Sequence, residues 1–326
     1  MTLNCPTITT YCSQKRNLLA FSAGIDSSAL FFLLLKNSIC FDIAIVDYGI
    51  RTQSKEEIMH AKTLADKYNL TCHTIKAPLF QSHFEFNARK FRYHFFEKLI
   101  AKYHYDNLLT AHQLNDHLEW MLMRLTKGAG LSELVGLEAV SQREGYTLIH
   151  PLLSYTKTEL IAYLESNRYP YFTDESNMNE QYERNYFRKH FSDPLISQYA
   201  EGIKRSFNYL KKDKVLLEKN FETIYQAKEL RILKVYNLQF KSKVADITLK
   251  QLGYVLSSSQ RREIEREKSL VIGGKWVIEL TDNLLYIAPY LKKNMPKVFK
   301  EMCRIKKIPV KIRPYLYYEK INMDNL

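Results

Sequence analysis

Cysteine is scarce in this chain of 326 residues. The five present (Cys5, Cys12, Cys40, Cys72 and Cys303) are scattered, with no Cys-x-x-Cys pair. That spacing supplies neither a zinc site nor a redox pair, so the thiols read as reduced cysteines of a cytoplasmic protein. Long apolar runs are missing too. The longest, residues 29–35, is far too short to cross a bilayer, and no basic-then-apolar opening marks a secretory leader. Glycine is sparse, at ten residues. None of them sits in a Gly-x-Gly-x-x-Gly or Gly-Lys-Ser/Thr pattern, so neither a dinucleotide fingerprint nor a Walker loop is expected. Repeats and low-complexity tracts are absent. A membrane span, a collagen-like chain, a coiled-coil rod and a disulfide scaffold are thereby set aside.

What is present is the balance of a globular protein: 46% hydrophobic and 25% charged residues. At roughly 150 residues per domain the length suits about two domains. Short buried strands are expected at residues 18–21, 41–47, 71–75, 107–111 and 147–150. Helical periodicity is expected at 28–36, 54–68, 87–103, 115–126 and 157–167. Such alternation predicts an α/β fold: a parallel twisted sheet with helices on both faces. The pattern changes near residue 180. A long charged helix is expected over 197–227, then a Gly273-Gly274 hairpin and a strand at 284–288. The predicted organisation is a catalytic domain at 1–196, a helical connector at 197–227 and a smaller α+β domain at 228–326.

Charge divides along the same line. Residues 1–198 carry 21 basic and 21 acidic side chains, whereas residues 199–326 carry 27 and 14. The net charge of +13 therefore belongs to the C-terminal part. Around Lys306, Lys307, Lys311, Arg313 and Tyr315 cations interleave with an aromatic, a pattern suited to RNA phosphates and unstacked bases.

The chemistry-bearing segment is Ser22-Ala23-Gly24-Ile25-Asp26-Ser27-Ser28, at the junction of the first strand and its helix. In an open α/β sheet that junction lies at the carboxyl edge, where ligands bind. Small residues admit a phosphate, the hydroxyls can donate to it, and the helix start favours an anion. Asp26 would repel phosphate unless it helps hold Mg²⁺. An ordinary N-capped helix start accounts for the same residue types. His112 follows the fourth strand at the same edge, and Asp116, four residues on, faces the same way on a helix start. Asp116 and Glu119 could hold Mg²⁺ or orient an amine. Arg89 and Arg92 lie one turn apart, suited to ATP or RNA phosphates or to a solvated face. The Lys127-Gly128 turn suits either a phosphate contact or a helix stop. Arg184 and Arg188 suit either an RNA backbone or salt bridges.

The loop resembles the Ser-Gly-Gly-x-Asp-Ser signature of the N-type ATP pyrophosphatases, with Ala23 in place of a glycine. Further ordered motifs resemble the tRNA(Ile)-lysidine synthetases within that PP-loop family. They are Val46-Asp47-Tyr48-Gly49-Ile50-Arg51, Ala88-Arg89-Lys90-Phe91-Arg92-Tyr93, and Thr110-Ala111-His112-Gln113-Leu114-Asn115-Asp116-His117-Leu118-Glu119. Arg124 to Leu131, Pro151-Leu152-Leu153, Asp174-Glu175-Ser176-Asn177 and Arg184-Asn185-Tyr186-Phe187-Arg188 complete the series. The resemblance covers residues 15–195, and His117 departs from the glutamine of the pattern, so it receives no role.

The resemblance implies an adenine nucleotide α-hydrolase-like fold with ATP and Mg²⁺ as cofactors. Residues 22–28, Asp47 and Arg89 would bind ATP. Asp26, His112 and Asp116 would be catalytic, with Asp26 and Asp116 as metal ligands. Arg92, Arg124, Lys127, Arg184, Arg188, Lys306, Lys307 and Arg313 would hold tRNA. The implied reaction adenylates the wobble cytidine of a CAU-anticodon isoleucine tRNA and then joins free L-lysine to it. The product, lysidine, changes the tRNA's specificity from methionine to isoleucine. A homodimer is left open. The competing readings are another PP-loop tRNA-modifying enzyme such as a thiolase, and an RNA-binding protein with a degenerate nucleotide site.

Overall fold

Pro6 opens the first helix, α1 (Pro6–Cys12), at a position where its missing N–H costs nothing. Then follow β1 (Asn17–Ala20), α2 (Ile25–Lys36), β2 (Phe41–Asp47), α3 (Gln53–Lys67), β3 (Cys72–Lys76), α4 (Phe84–Tyr103), β4 (Asn107–Leu109), α5 (Leu114–Leu125), α6 (Leu131–Val135), β5 (Val140–Arg143), β6 (Tyr146–Ile149), α7 (Lys157–Ser166) and α8 (Glu183–Phe187). A π-helical turn, Arg188–Ser192, joins α8 to α9 (Asp193–Glu218). This computed structural model describes residues 3–49, 53–80, 82, 84–173 and 183–322. The Ile50-Arg51 and Asp174–Asn177 portions of the sequence motifs lie outside the described residues. The chain divides into two compact units, Met1–Lys211 and Lys212–Leu326.

In the first unit the strand order is β3-β2-β1-β4-β6-β5. All pairs are parallel except the β5–β6 hairpin at the edge. Both faces are covered, as the apolar strands require. Leu18 packs with Phe95, Phe96 and Leu99 of α4 on one face, and Leu19 with Phe31, Leu33 and Leu34 of α2 on the other. Every residue of α2 from Ser27 to Leu34 is buried, which explains its nearly continuous apolar sequence. The chain leaves β1 toward β2 and β3 on one side and returns through β4 on the other. A crevice therefore opens at the carboxyl ends of β1 and β4, the topological switch point of the sheet.

Two stretches differ from the sequence expectation. β5 (Val-Ser-Gln-Arg) was not read as a strand because it is short, polar and half-exposed, an edge strand without alternation. The long helix stops at Glu218, and residues 221–227 form a strand rather than more helix. Phe221, Thr223, Ile224 and Tyr225 are β-branched or aromatic, and Asn220 donates its side-chain amide to the Leu217 carbonyl at the helix end. The break within α9 falls at Tyr199, with φ −128° and ψ 20°, and not at Gly202.

The second unit is an antiparallel sheet of β7 (Phe221–Ala227), β8 (Leu230–Val235), β9 (Ser269–Ile272), β10 (Trp276–Thr281) and β11 (Leu284–Pro289), ordered β7-β8-β11-β10-β9. Alternation sends Leu233, Val235, Ile278 and Ile287 to one face, beneath α10 (Lys241–Gln251) and α11 (Ser258–Arg266). Ile232, Val277, Tyr286 and Ala288 meet α12 (Lys297–Ile305) and α13 (Arg313–Tyr318) on the other. The expected glycine hairpin is present: Gly273 and Gly274 both take positive φ, 56° and 65°.

Candidate active site

The loop after β1 is shaped by its own small residues. Ala23 has φ 59°, the left-handed conformation that favours glycine, at a cost of about 1 kcal/mol for alanine. Its carbonyl accepts the Phe172 N–H at 2.9 Å and the Ser28 hydroxyl at 3.2 Å. The Ser27 hydroxyl accepts the Ser22 N–H and lies against the Ser22 hydroxyl and the Gly24 carbonyl. Ser27 and Ser28 are buried, and their hydroxyls bond within the loop. What remains for an anion is the exposed Ser22, Gly24, Ile25 and the start of α2. No side chain caps that helix, which leaves its first-turn N–H groups for a ligand.

Asp26 sits in that first turn, and its Oδ1 is buried without a hydrogen-bond partner among the described residues. Burial, followed by the charge of Asp116, pushes its pKa up to about 7; Lys157 and Arg188 pull the other way and Glu119 adds to the rise. Four separate segments thus converge on one carboxyl: α2, α5, the start of α7 and the π-turn.

The start of α5 holds the acidic side. Gln113 is its N-cap, its side chain accepting the Asn115 N–H, while Asp116 Oδ2 accepts the Gln113 N–H at 3.1 Å. Asp116 Oδ1 takes Arg184 at 2.5 Å and Arg188 at 3.4 Å. Glu119, one turn on and buried, receives Arg184 Nε at 2.7 Å and Arg188 Nε at 2.6 Å. Burial raises both carboxyls. For Asp116 the guanidinium charges of Arg184 and Arg188, helped by neighbouring His112 and the Gln113 N–H, override it and the net shift is down; for Glu119 its arginine partners do not, and the net shift is up. The π-helical turn adds a residue where α8 meets α9, and such turns re-aim side chains. Asn115 fastens the assembly, donating to Asp193 at 2.6 Å and accepting the Lys157 N–H.

Both oxygens of Asp116 accept hydrogen bonds, and Arg184 and Arg188 form salt bridges with the α5 carboxylates, one of the two roles their spacing suits. Among the described residues no group of three or more His, Cys, Asp or Glu side chains is arranged to hold a metal. A Mg²⁺ at Asp26 would draw its other ligands from phosphates and water, the usual habit of that ion.

His112, just beyond β4, reaches the same place: its pKa is pushed down to about 4 by burial, with opposing charge from Asp116 and further lowering by Arg184, Arg89 and Arg92. Its Nδ1 lies 2.8 Å from the Thr110 hydroxyl, which is also 2.5 Å from Nδ1 of His150. His150, Thr110 and Lys157 were not singled out as site residues from sequence. His150 had a readable signal, a histidine at the carboxyl end of a strand beside β4. The exposed Arg89 and Arg92 lie on α4, Arg89 over the Tyr93 ring at 4.9 Å. Asp47 closes β2, where its Oδ1 accepts the Gly49 N–H.

The remaining expected contacts are spread out. Arg124 stacks over Trp120 at 4.2 Å and Lys127 pairs with Glu183 at 2.7 Å. In the second unit Lys306 ends α12, Lys307 is exposed, and Arg313 donates to the Ile308 carbonyl. His117 has a structural explanation: it stacks on Phe207 at 3.7 Å and its Nε2 donates to the Val135 carbonyl.

Residues 4–195 match the PP-loop domain family. A tRNA(Ile)-lysidine synthase of Campylobacter jejuni is 43% identical over 314 residues, covering 96% of each chain. Others are similar: one from Helicobacter hepaticus is 40% identical over 94% of this chain and 82% of that one, and one from Helicobacter pylori 42% over 94% and 90%. Among solved structures, a U34-tRNA thiolase of Methanococcus maripaludis with its [4Fe-4S] cluster covers 63% of this chain and 76% of that one. Its TM-score is 0.53 at 15% identity, which shows a shared fold and nothing finer. No described helix is long and apolar enough to cross a membrane. With a PP-loop domain over more than half its length and relatives above 40% identity from end to end, the chain belongs to the tRNA(Ile)-lysidine synthase family.

Proposed function

We propose that this chain is an ATP-dependent ligase that joins free L-lysine to the wobble cytidine of an isoleucine tRNA, giving lysidine, AMP and pyrophosphate. The observation that carries the reading is the similarity to tRNA(Ile)-lysidine synthases over 96% of both chains. The phosphates of ATP lie at the uncapped start of α2, with Arg89 reaching them from α4. Asp26, whose buried Oδ1 has no hydrogen-bond partner among the described residues, would hold Mg²⁺, which would neutralise phosphate charge. The cytosine carbonyl oxygen attacks the α-phosphorus and pyrophosphate leaves, so that a poor leaving oxygen becomes a good one. The neutral ε-amine of lysine then displaces AMP. Asp116 and Glu119 act by fixing Arg184 and Arg188 as a rigid cationic floor for the phosphates.

The residues that contact tRNA are Arg92, Arg124 and Lys127 of the first unit and, separately, Lys306, Lys307 and Arg313 of the second. Support comes from the C-terminal charge excess and the exposure of Arg92, Lys127 and Lys307. ATP and tRNA place the enzyme in the cytoplasm. A thiolase reading is weaker on the thiols: Cys5 and Cys12 are buried, and burial pushes Cys12 up to about 12, far from a reactive thiolate. Labelled lysine supplied with isoleucine tRNA should enter a cytidine only when ATP is present. Pyrophosphate release without lysine incorporation would point to a different nucleophile, and tRNA binding with neither signal would favour a degenerate site.

A further inference from the structure

The Thr110 hydroxyl stands between two imidazole nitrogens, Nδ1 of His112 at 2.8 Å and Nδ1 of His150 at 2.5 Å, and those nitrogens are 3.3 Å apart. A threonine hydroxyl has one proton to give and can accept others. If both Nδ1 atoms were bare, one of these short contacts would set lone pair against lone pair. If both carried protons, the two N–H groups would oppose each other across 3.3 Å. The arrangement is satisfied when one ring donates to Thr110 and Thr110 donates to the other. Burial keeps both rings neutral, His112 pushed down to about 4 and His150 to about 3, so each carries one proton in all. Opposite Nδ1 states therefore mean opposite Nε2 states.

Two further influences choose between the arrangements. The Thr110 main-chain carbonyl, which can only accept, acts to raise the pKa of the His150 ring, and the nitrogen of that ring facing Thr110 is Nδ1. His112 meets the negative charge of Asp116, but three guanidinium groups, Arg184, Arg89 and Arg92, outnumber it, a setting that admits an anionic ligand, which needs a donor. Its Nε2 makes no hydrogen bond to any described residue.

We propose that Thr110 and His150 are positioning residues that hold His112 as the neutral Nε2–H tautomer, so that it donates a hydrogen bond to a phosphate oxygen of ATP and does not serve as a base. His150 Nδ1–H donates to the Thr110 hydroxyl, and that hydroxyl donates to His112 Nδ1. No proton leaves His112 during the reaction. The assignment rests on the proposed ATP-dependent reaction for the identity of the anion, but the tautomer itself is independent of it.

The test has two parts. In the full-length wild-type protein labelled with ¹⁵N-histidine, His112 should show a protonated Nε2 and a bare Nδ1, and His150 the reverse, with His112→Gln and His150→Gln used only to assign signals. A bare Nε2 on His112 overturns the proposal, whether or not the protein makes lysidine. In steady-state assays of pyrophosphate release with tRNA, Thr110→Val, which removes the hydroxyl without changing its size, should lower kcat at least about tenfold with little change in KM for ATP. Thr110→Ser should recover most of that rate. A Thr110→Val enzyme with wild-type kcat overturns the relay, whereas a wild-type protein that never forms lysidine overturns the functional reading and leaves the tautomer result standing.

Discussion

Two helical aspartates, one in each unit, Asp246 buried and Asp26 partly buried, have opposite circumstances. Asp246 of α10 is fully answered: Lys250 reaches Oδ2 at 2.8 Å and Arg261 reaches Oδ1 at 3.2 Å. Asp26 of α2 has an orphan oxygen, two acidic neighbours and a pKa raised to about 7. A carboxylate held for stability is surrounded by its counter-charges, whereas one held for a ligand is left short of them. The first unit thus retains a local destabilisation that the second has no use for.

The comparison breaks most visibly at Asp26. Asp26→Asn should lower lysidine formation by a thousandfold or more (roughly 4 kcal/mol), read as labelled lysine in tRNA, while the protein gains stability at pH 8. Near-wild-type turnover would remove Asp26 from the chemistry. The pH dependence follows from the same group. The folded carboxyl keeps its proton up to about pH 7, while the unfolded one releases it near 3.8. Between those values the folded state binds more protons, so stability falls as pH rises through the window, by roughly 4 kcal/mol at most. Denaturant melts of the ligand-free protein from pH 4 to 8 should show this decline, and Asp26→Asn should flatten it.

Removing counter-charge where it does exist should act in the opposite sense. Arg188→Met leaves Glu119 buried with less compensation and should destabilise by about 3 kcal/mol, and Asp246→Asn by about 2 kcal/mol, both seen as lower urea midpoints. Only the first should also impair pyrophosphate release. Charge reversal at Lys306 and Lys307 should leave stability nearly unchanged and reduce the salt dependence of tRNA binding; an unchanged slope would take that patch out of the interface. The smallest effect is expected from Ala23→Gly, a gain of about 0.5 to 1 kcal/mol in thermal stability from relief at positive φ.

Much of this was legible in the sequence because it is local. The strand-loop-helix run from Leu18 to Lys36 declares itself by apolar strand, small turn residues and apolar helix. His112 and Asp116 announce a shared direction through their spacing. The partners of Asp116 and Glu119 were not legible, because α5 and Arg184 are distant in sequence and only the packed fold joins them. The same holds for His150, whose meaning comes from β6 lying beside β4. Residues 221–227 were misread because a charged, periodic helix runs straight into a strand with only Lys219 and Asn220 between them. Ala23 marks the boundary: the sequence showed that a glycine was missing, and only the backbone showed that the position has φ 59°.

The order of the ion-pair partners along the chain carries a consequence for synthesis. Asp26 emerges from the ribosome early, and Asp116 and Glu119 follow with α5, but Arg184 and Arg188 come last, after every strand of the first sheet. A nascent chain stalled before α8 would hold three carboxyls around one crevice with none of their guanidinium partners. Domains fold as units once their residues are out, and here the closing segment is also the one that neutralises the site. The first unit is therefore expected to mature in a single late step, when α8 and the π-turn lock onto α5, with nucleotide binding competent only from that moment.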